Sequence, residues 1–130
     1  MSRKKLLEKF FEKGHMIYRA VYRIAEREDW LQCLRLGHFA SADLKREGFI
    51  HCSEKHQVLR TAAKYYAGKT DLVLLEIDET QIEQNLKRED LVGKGELFPH
   101  VYGAIPMAAI LRHFALPTAS DGRFDLPFTL

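Results

Sequence analysis

The sequence predicts an α+β fold, and three observations support this prediction. Short stretches rich in β-branched and aromatic residues, bounded by turn residues, recur along the 130-residue chain and predict five or six strands. At least two longer stretches carry apolar residues at helical spacing. The connections between these elements are too irregular for alternating strand–helix–strand units. We therefore expect at least two helices packed against strands within one domain.

The first half of the chain is expected to hold two strands and one helix. Residues 17–24 are rich in β-branched and aromatic side chains and predict a strand. Residues 26–36 predict a helix, because acidic residues occupy its first turn and Gly37 follows its last apolar position. Residues 38–47 show no strong pattern and are expected to be an irregular connection. They lead to a short buried strand over 49–52.

A second helix is expected directly after that buried strand. Ser53 is suited to cap it, because its hydroxyl oxygen can accept a hydrogen bond from an unpaired backbone N–H group. Residues 54–66 carry apolar side chains at helical spacing, and Gly68 ends the pattern. The inner stripe of this helix is expected to be Val58, Ala62, Tyr65 and Tyr66.

The second half of the chain predicts further strands. Residues 72–77 are the most apolar run and predict a central strand, followed by Asp78 as the cap of a short turn of helix. The charges of residues 85–90 suit an edge strand. A brief helix is expected over 106–109 and a closing strand over 110–116.

Composition divides the chain into three segments. Residues 1–15 predict a basic amphipathic helix or tail, with the helix itself over 2–13, and residues 16–116 predict a single α+β domain. From Pro117 onward the composition turns to proline, glycine, serine and aspartate. Residues 117–130 are therefore expected to be a C-terminal tail lying over the surface or loose in solvent.

Charge and hydropathy exclude several classes of protein. No apolar run approaches the roughly 18 residues of a membrane span, and no secretory signal is evident. Two cysteines do not form a disulfide framework, which favours a reduced, cytoplasmic location. Residues 1–14 hold five basic and two acidic residues, a charge of +3, so the remainder of the +2 chain carries −1. Strong binding of nucleic acid by the body is therefore not expected.

The candidate functional residues centre on the segment Gly-Phe-Ile-His-Cys-Ser that ends in Ser53. His51 would share a strand face with Phe49 and could exchange a proton near neutral pH, unless it is a hydrogen-bonded core histidine. Arg23 offers a planar fork that suits phosphate or carboxylate, although a structural salt bridge to Glu76 is an equal alternative. The polar side chains that could converge are Arg23, His51, Ser53, Tyr65, Tyr66, Glu96, His100 and Tyr102.

Metal chemistry and cysteine chemistry are not expected. The six histidines include no pair with the usual ligand spacing, there is no Cys-x-x-Cys motif, and His51 and His56 straddle a strand-to-helix change. Cys52 could gain nucleophilicity from a helix N-terminus, but it points away from His51 along the strand. We therefore predict no metal site and no Cys–His dyad.

Two resemblances follow from these motifs. The Gly-Phe-Ile-His-Cys-Ser segment and the later Phe98-Pro99-His100-Val101-Tyr102-Gly103 segment resemble the domain of unknown function 952 family. Members of that family usually carry histidine where Arg23 stands. The order of elements is also similar to that of the catalytic domain of RNA 2′-phosphotransferases, in the ADP-ribosyltransferase superfamily.

The second resemblance implies an ADP-ribosyltransferase-like split β-sheet with flanking helices that cradles NAD or ADP-ribose. Arg23 and His51 would lie nearest the ligand and open onto one hollow. Because Phe49 stands where the phosphotransferases have a strand histidine, removal of an RNA 2′-phosphate is not expected. The implied catalytic candidates are His51, Glu96 and His100. The implied ligand-binding residues are Tyr22, Arg23, His51, Ser53, Tyr65, Tyr66 and Tyr102.

Three hypotheses for function remain open at this point. The first is an enzyme of the transferase or glycohydrolase type, acting at the anomeric carbon of a ribose in NAD, ADP-ribose or a related phospho-ribosyl compound. The second is a non-catalytic module that binds the same small ligand. The third is an interaction protein that uses the helix over 2–13 to recruit a partner. The sequence does not predict an oligomeric state.

Overall fold

The computed structural model describes residues 2–4, 19–127 and 130. Within these residues the chain forms eight strands and three α-helices. The helices are α1 (Arg27–Leu36), α2 (Ala42–Glu47) and α3 (Val58–Tyr65). The strands are β1 (Ala20–Ala25), β2 (His38–Phe39), β3 (Ile50–His51), β4 (Val73–Asp78), β5 (Leu86–Glu89), β6 (Phe98–Val101), β7 (Ile105–Pro106) and β8 (Ile110–Ala115).

The most apolar run of the sequence lies at the centre of the first sheet. Strand β4 pairs antiparallel with β1 on one side and with β8 on the other. Leu74, Leu75 and Ile77 of β4 are fully buried, because both faces of this strand are covered. The predicted central strand is therefore confirmed. Asp78 caps the following turn through a hydrogen bond from the backbone N–H of Thr80, as predicted.

A second three-stranded sheet joins the first at one point. Its strand order is β3-β6-β5, which confirms the predicted edge position of β5. Tyr22 of β1 and Ser53, just beyond β3, exchange two backbone hydrogen bonds of 2.8 and 2.7 Å. The predicted α+β class is confirmed, and the ADP-ribosyltransferase-like arrangement stays a prediction.

Helix α1 confirms the helix predicted over 26–36. Gly37 ends it in the left-handed conformation with φ 82°, and the Gly37 N–H donates to the carbonyl of Cys33. Glycine adopts this conformation at no steric cost. Trp30 and Cys33 are buried on the inner face of the helix.

Two local predictions are wrong. Residues 38–47 are not an irregular connection, because they form strand β2, which pairs with β7, and helix α2. Both elements are too short to produce a periodic pattern. Ser53 does not cap a helix: its hydroxyl donates to Thr61. Glu54 and Gln57 instead form a capping box around the 3₁₀ turn that precedes α3.

The core consists of two clusters on opposite faces of β1 and β4. Side chains that alternate along these strands point to one or the other cluster. The first cluster packs beneath α1 and includes Val21, Ala25, Ile50, Cys52, Leu75 and Val101. The second cluster packs beneath α3 and includes Tyr22, Ile24, Val58, Ala62, Leu74 and Phe124.

The two ends of the chain are described only in part. The helix predicted over 2–13 lies outside the described residues apart from residues 2–4, where the Arg3 side chain donates to the carbonyls of Ala108 and Ile110. In the C-terminal segment, Phe124 is buried in the second cluster and forms a bridge with Thr118. None of the described helices is long and apolar enough to cross a membrane.

Candidate functional site

One face of the β3-β6-β5 sheet gathers the titratable side chains of both sequence motifs. His51 of β3 lies opposite His100 of β6, which in turn lies opposite Lys87 of β5. Residues opposite each other in antiparallel strands share a face. Their rings and the neighbouring side chains form what we call the histidine cluster: Glu47, Phe49, His51, Lys87, Glu89, His100 and Tyr102.

Phe49 is the common packing partner of the three other rings in the cluster. Its ring centroid lies 4.3 Å from that of His100, 4.7 Å from that of His51 and 5.2 Å from that of Tyr102. The two histidine rings meet nearly edge to face, with centroids 5.4 Å apart. Phe49 is itself buried, so it fixes the positions of the three rings rather than offering a surface to a ligand.

A carboxylate orients His100 and Tyr102. The Glu89 Oε1 atom lies 3.0 Å from His100 Nδ1 and also accepts a hydrogen bond from the Tyr102 hydroxyl. The bond from Tyr102 lowers the pKa of Glu89, and the bond from His100 lowers it further. The same contact raises the pKa of Tyr102. Because an ionised carboxylate only accepts hydrogen bonds, Nδ1 of His100 donates a proton to this contact.

His51 is the accessible member of the histidine pair. Its side chain is 51 % exposed, whereas His100 is only 5 % exposed. The Glu47 carboxylate contacts Nε2 of His51, which places the proton on that nitrogen. Nδ1 of His51 has no hydrogen-bond partner within the described part of the chain. A solvent-facing imidazole with one oriented nitrogen can take up or release a proton.

Arg23 does not reach this face. It is 8 % exposed, and its Nη1 atom lies 2.6 Å from the Asp43 carboxylate and 2.9 Å from the carbonyl oxygen of His51. Asp43 Oδ2 also accepts the backbone N–H of His51 at 2.9 Å. The buried ion pair therefore binds both the backbone N–H and the backbone carbonyl of His51. Burial raises the pKa of Asp43, but Arg23 and the hydrogen bonds outweigh this and lower it overall.

The expectation that Arg23 and His51 open onto one hollow is wrong. Arg23 lies between Val21 and Ala25, which point into the first core cluster. His51 follows Ile50 of the β3-β6-β5 sheet, which also points into that cluster, so the His51 ring lies on the face of that sheet turned away from the cluster and from Arg23. The alternative pairing of Arg23 with Glu76 is also wrong, since Arg23 pairs with Asp43.

Glu76 has other partners on the face of the second cluster. It is 1 % exposed and accepts two hydrogen bonds from Arg112, of 2.7 and 2.8 Å. The Tyr22 hydroxyl donates to Glu76 at 3.1 Å, and burial, together with this neighbour, raises the pKa of Tyr22. The Tyr22 hydroxyl is therefore buried and already hydrogen-bonded to Glu76.

The remaining predicted residues are spread over the molecule. Ser53 is buried against Thr61, and the Tyr66 hydroxyl donates to the carbonyl of Ile24 at 3.2 Å. Tyr65 is 66 % exposed and does not belong to the inner stripe of α3, in contrast to the prediction. Glu96 pairs with Arg60 and accepts a hydrogen bond of 3.0 Å from Gln57. The contact with Arg60 is the main cause of the lowered pKa of Glu96, and the contact with Gln57 lowers it further. The structure therefore brings together His51, His100 and Tyr102, but not Glu96.

Both cysteine thiols are buried, and the possible metal ligands of the described residues are not clustered. Cys52 is buried, and burial raises its pKa to about 12, so the thiol is protonated near neutral pH. Cys33 is buried too, and its pKa is also raised. Among the described residues, no group of three or more His, Cys, Asp or Glu side chains is arranged to hold a metal ion.

Sequence reasoning missed Glu47, Glu89 and Asp43, which are the acidic partners of the site. Glu89 belongs to the predicted edge strand, but its contact with His100 depends on the pairing register of β5 and β6. Asp43 belongs to the segment expected to be irregular, and it meets Arg23 only through tertiary folding. Glu47 lies four residues before His51, across the turn at Gly48. No local pattern marks any of these three contacts.

The cluster can supply both a proton donor and a proton acceptor. His51 is accessible and held by Glu47, while Glu89 is ionised and fixed by His100 and Tyr102. An imidazole beside a fixed carboxylate is suited to general acid–base work and to hydrogen bonding with hydroxyl groups. Lys87 adds a cation, with its Nζ atom 5.2 Å from the centroid of the Tyr102 ring.

Comparison with known proteins places the chain in a family. The family described as "Protein of unknown function (DUF952)" matches residues 24–113, which include the whole histidine cluster. A crystal structure of protein CC0527 from Caulobacter crescentus is 33 % identical in sequence, with a TM-score of 0.76 over 82 % of this chain and 94 % of that one. Its solution NMR structure is 34 % identical, with a TM-score of 0.71 over 80 % and 90 % of the two chains. No curated protein matches the sequence. The chain belongs to the DUF952 family of proteins of unknown function.

Proposed function

We propose that the histidine cluster binds a small phospho-ribosyl ligand, such as NAD or ADP-ribose, and promotes transfer or hydrolysis at the anomeric carbon of its ribose. The observation that carries this proposal is the half-exposed His51 ring beside His100, Tyr102 and the ionised Glu89. Carboxylates and imidazoles are suitable partners for ribose hydroxyls. Lys87, whose Nζ atom lies over the Tyr102 ring, supplies a cation for a phosphate.

The chemistry follows from the charges of the cluster. Cleavage of an N-glycosidic bond passes through an oxocarbenium-like state, which a fixed carboxylate stabilises. In a hydrolysis of NAD, the bond from C1′ to the nicotinamide nitrogen breaks and the bonding electrons leave with nicotinamide. Water forms the new C1′–O bond and loses one proton. His51 accepts that proton through Nδ1, and the Glu89 carboxylate faces the positive charge.

The arrangement of the sheets supports the same proposal. Two three-stranded sheets that meet at the Tyr22–Ser53 bridge are compatible with an ADP-ribosyltransferase-like split sheet. On this proposal, Arg23 does not bind phosphate. It supports the backbone of His51 through its hydrogen bond to the His51 carbonyl.

A non-catalytic binding module is the second candidate, and one observation favours it. The His100 ring is buried and its Nδ1 atom is paired with Glu89, so His51 is the one histidine of the pair that is open to solvent. A site with a single accessible imidazole can bind a ligand without turning it over. The interaction hypothesis that involves the helix over 2–13 concerns residues mostly outside the described structure, and it stays a prediction.

Thermal unfolding in the presence of ligands tests the proposal. At 100 times its Kd, NAD, ADP-ribose or nicotinamide mononucleotide adds about 2.7 kcal/mol to the free energy of unfolding, which raises Tm by several degrees. We expect His51→Ala to abolish this rise. His56→Ala is the matched control, because His56 is exposed and lies outside the cluster. No rise in Tm with any of these ligands, or an equal rise in His51→Ala and His56→Ala, would refute ligand binding at the cluster.

Product analysis separates the enzyme from the binding module. NAD incubated with the full chain should release nicotinamide, and Glu89→Gln should slow the release at least tenfold, because it removes the charge that faces the oxocarbenium-like state. A ligand that stabilises the protein but is recovered unchanged after prolonged incubation would identify a binding module. Separation of the nucleotides by liquid chromatography gives this result directly.

A further inference from the structure

An open cavity of about 500 Å³ lies next to the start of β1, between residues of both three-stranded sheets. Its volume lies within the range of small-molecule sites in proteins. Tyr22 contributes to its wall, but the Tyr22 hydroxyl is directed to Glu76. The residues that line the cavity are Arg19, Ala20, Tyr22, Glu54, Lys55, Glu79 and Arg88.

Arg88 forms a rigid, charged part of the cavity wall. Its Nη1 and Nη2 atoms donate to the two carboxylate oxygens of Glu79 at 2.6 and 2.9 Å, and its Nε atom donates to Glu54. The hydrogen bonds from Arg88 lower the pKa of Glu79, so this carboxylate is ionised near neutral pH. A bidentate pair of this kind fixes the orientation of the guanidinium group. Each Nη atom still carries a second hydrogen that neither bond uses.

Two further cations at the cavity form no close ion pair with the described residues, although the charge of Arg19 contributes to the lowered pKa of Glu79. Arg19 and Lys55 are exposed, and neither side chain forms a hydrogen bond or ion pair with the residues that the structure describes. The wall holds three cations and two carboxylates, and both carboxylates are already bound to Arg88. The cations that are free to contact a ligand are therefore the two long, adaptable side chains of Arg19 and Lys55.

We propose that this cavity is a binding site for the phosphoryl group of a small phosphorylated molecule. Arg19 and Lys55 close around the phosphate oxygens, and Arg88 offers its remaining N–H groups from a fixed position. Charge-assisted hydrogen bonds of this type are the stronger ones in proteins. The three cations and two carboxylates give the wall a net charge of +1, which favours an anion. This site involves no residue of the histidine cluster, and it stands or falls independently of the proposed function.

Titration with inorganic phosphate and with pyrophosphate tests the site. The full-length chain is titrated at low ionic strength and followed by amide NMR, and the expected result is saturable shifts at Tyr22, Lys55 and Arg88. Lys55→Gln and Arg19→Gln should each weaken binding about tenfold, the effect of losing one charge-assisted hydrogen bond. The control is Lys64→Gln, which removes an exposed lysine that lies over the Tyr65 ring on α3.

The outcomes of this experiment are distinct. Binding that is weakened by Lys55→Gln and Arg19→Gln, but is unchanged in Lys64→Gln and His51→Ala, supports the phosphoryl site. Absence of saturable shifts up to 10 mM phosphate or pyrophosphate, on the order of the weakest binding such a site would show, refutes the proposal. Equal affinity in all four variants also refutes it, as does binding that only His51→Ala removes. In that last case the anion occupies the histidine cluster instead.

Discussion

Replacement of Asp43 by asparagine tests the structural basis of the histidine cluster. Asp43 and Arg23 form a buried ion pair, with side chains 5 % and 10 % exposed. The pair also binds the N–H and the carbonyl of His51. Asparagine keeps the size of the side chain but removes its charge, which leaves the Arg23 guanidinium buried without a counter-ion. Breaking a buried pair in this way costs about 3–5 kcal/mol of the free energy of unfolding.

Urea denaturation followed by circular dichroism gives the required free energies. Asp121→Asn is the control, because Asp121 pairs with Arg123 at an exposed site where the side chains are 50 % and 83 % exposed. Such a pair contributes under about 1 kcal/mol. Replacing both Arg23 and Asp43 by apolar residues should cost less than Asp43→Asn alone, because no buried charge then remains. A cost for Asp43→Asn equal to that for Asp121→Asn would refute the reasoning.

The same pair predicts how stability depends on pH. The folded-state pKa of Asp43 is lowered, because Arg23 and the hydrogen bonds outweigh the effect of burial. A carboxylate with a lowered pKa stabilises the fold above its unfolded pKa of about 3.9, and this stabilisation is lost as the pH falls through the folded-state pKa. The difference in free energy of unfolding between the wild type and Asp43→Asn should therefore be constant near pH 6 and shrink below about pH 4. A difference that does not change with pH would contradict this account.

Three further predictions concern individual residues. Glu89→Gln should change the ¹⁵N shift of His100 Nδ1, because the carboxylate that fixes this proton is removed; an unchanged shift would show that Glu89 does not orient the ring. Cys52 should resist thiol reagents in the native state and react only on unfolding, because burial raises its pKa to about 12; modification at the rate of an exposed cysteine would contradict this. Gly48→Ala should lower the free energy of unfolding by about 1–2 kcal/mol, because Gly48 has φ 89° between α2 and β3; unchanged urea denaturation would count against backbone strain at this turn.

The sequence predicted those elements whose signals are local. Continuous apolarity identified the central strand β4, and the position of Gly37 identified the end of α1. Period-two alternation predicted that Phe49 and His51 share a face, as their ring contact shows. These features depend on the conformation of neighbouring residues along the chain, which propensity and periodicity describe.

The sequence did not predict contacts that depend on strand register and tertiary packing. Glu89 meets His100 because β5 and β6 pair in one register, which no local pattern encodes. The resemblance to ADP-ribosyltransferases implies a ligand beside Arg23, whereas the fold supplies Asp43 from a helix of six residues. A short helix without apolar periodicity is not predicted from the sequence, so the sequence does not identify Asp43 as the partner of Arg23.

Histidine-selective NMR during a titration with ADP-ribose tests the central claim most directly. The claim is that His51 and His100 lie at the ligand site. We expect the ring signals of His51 and His100 to shift in a saturable manner, while those of His38, an exposed residue of β2, stay in place. Saturable binding of ADP-ribose that leaves the ring signals of both His51 and His100 unchanged would contradict the claim.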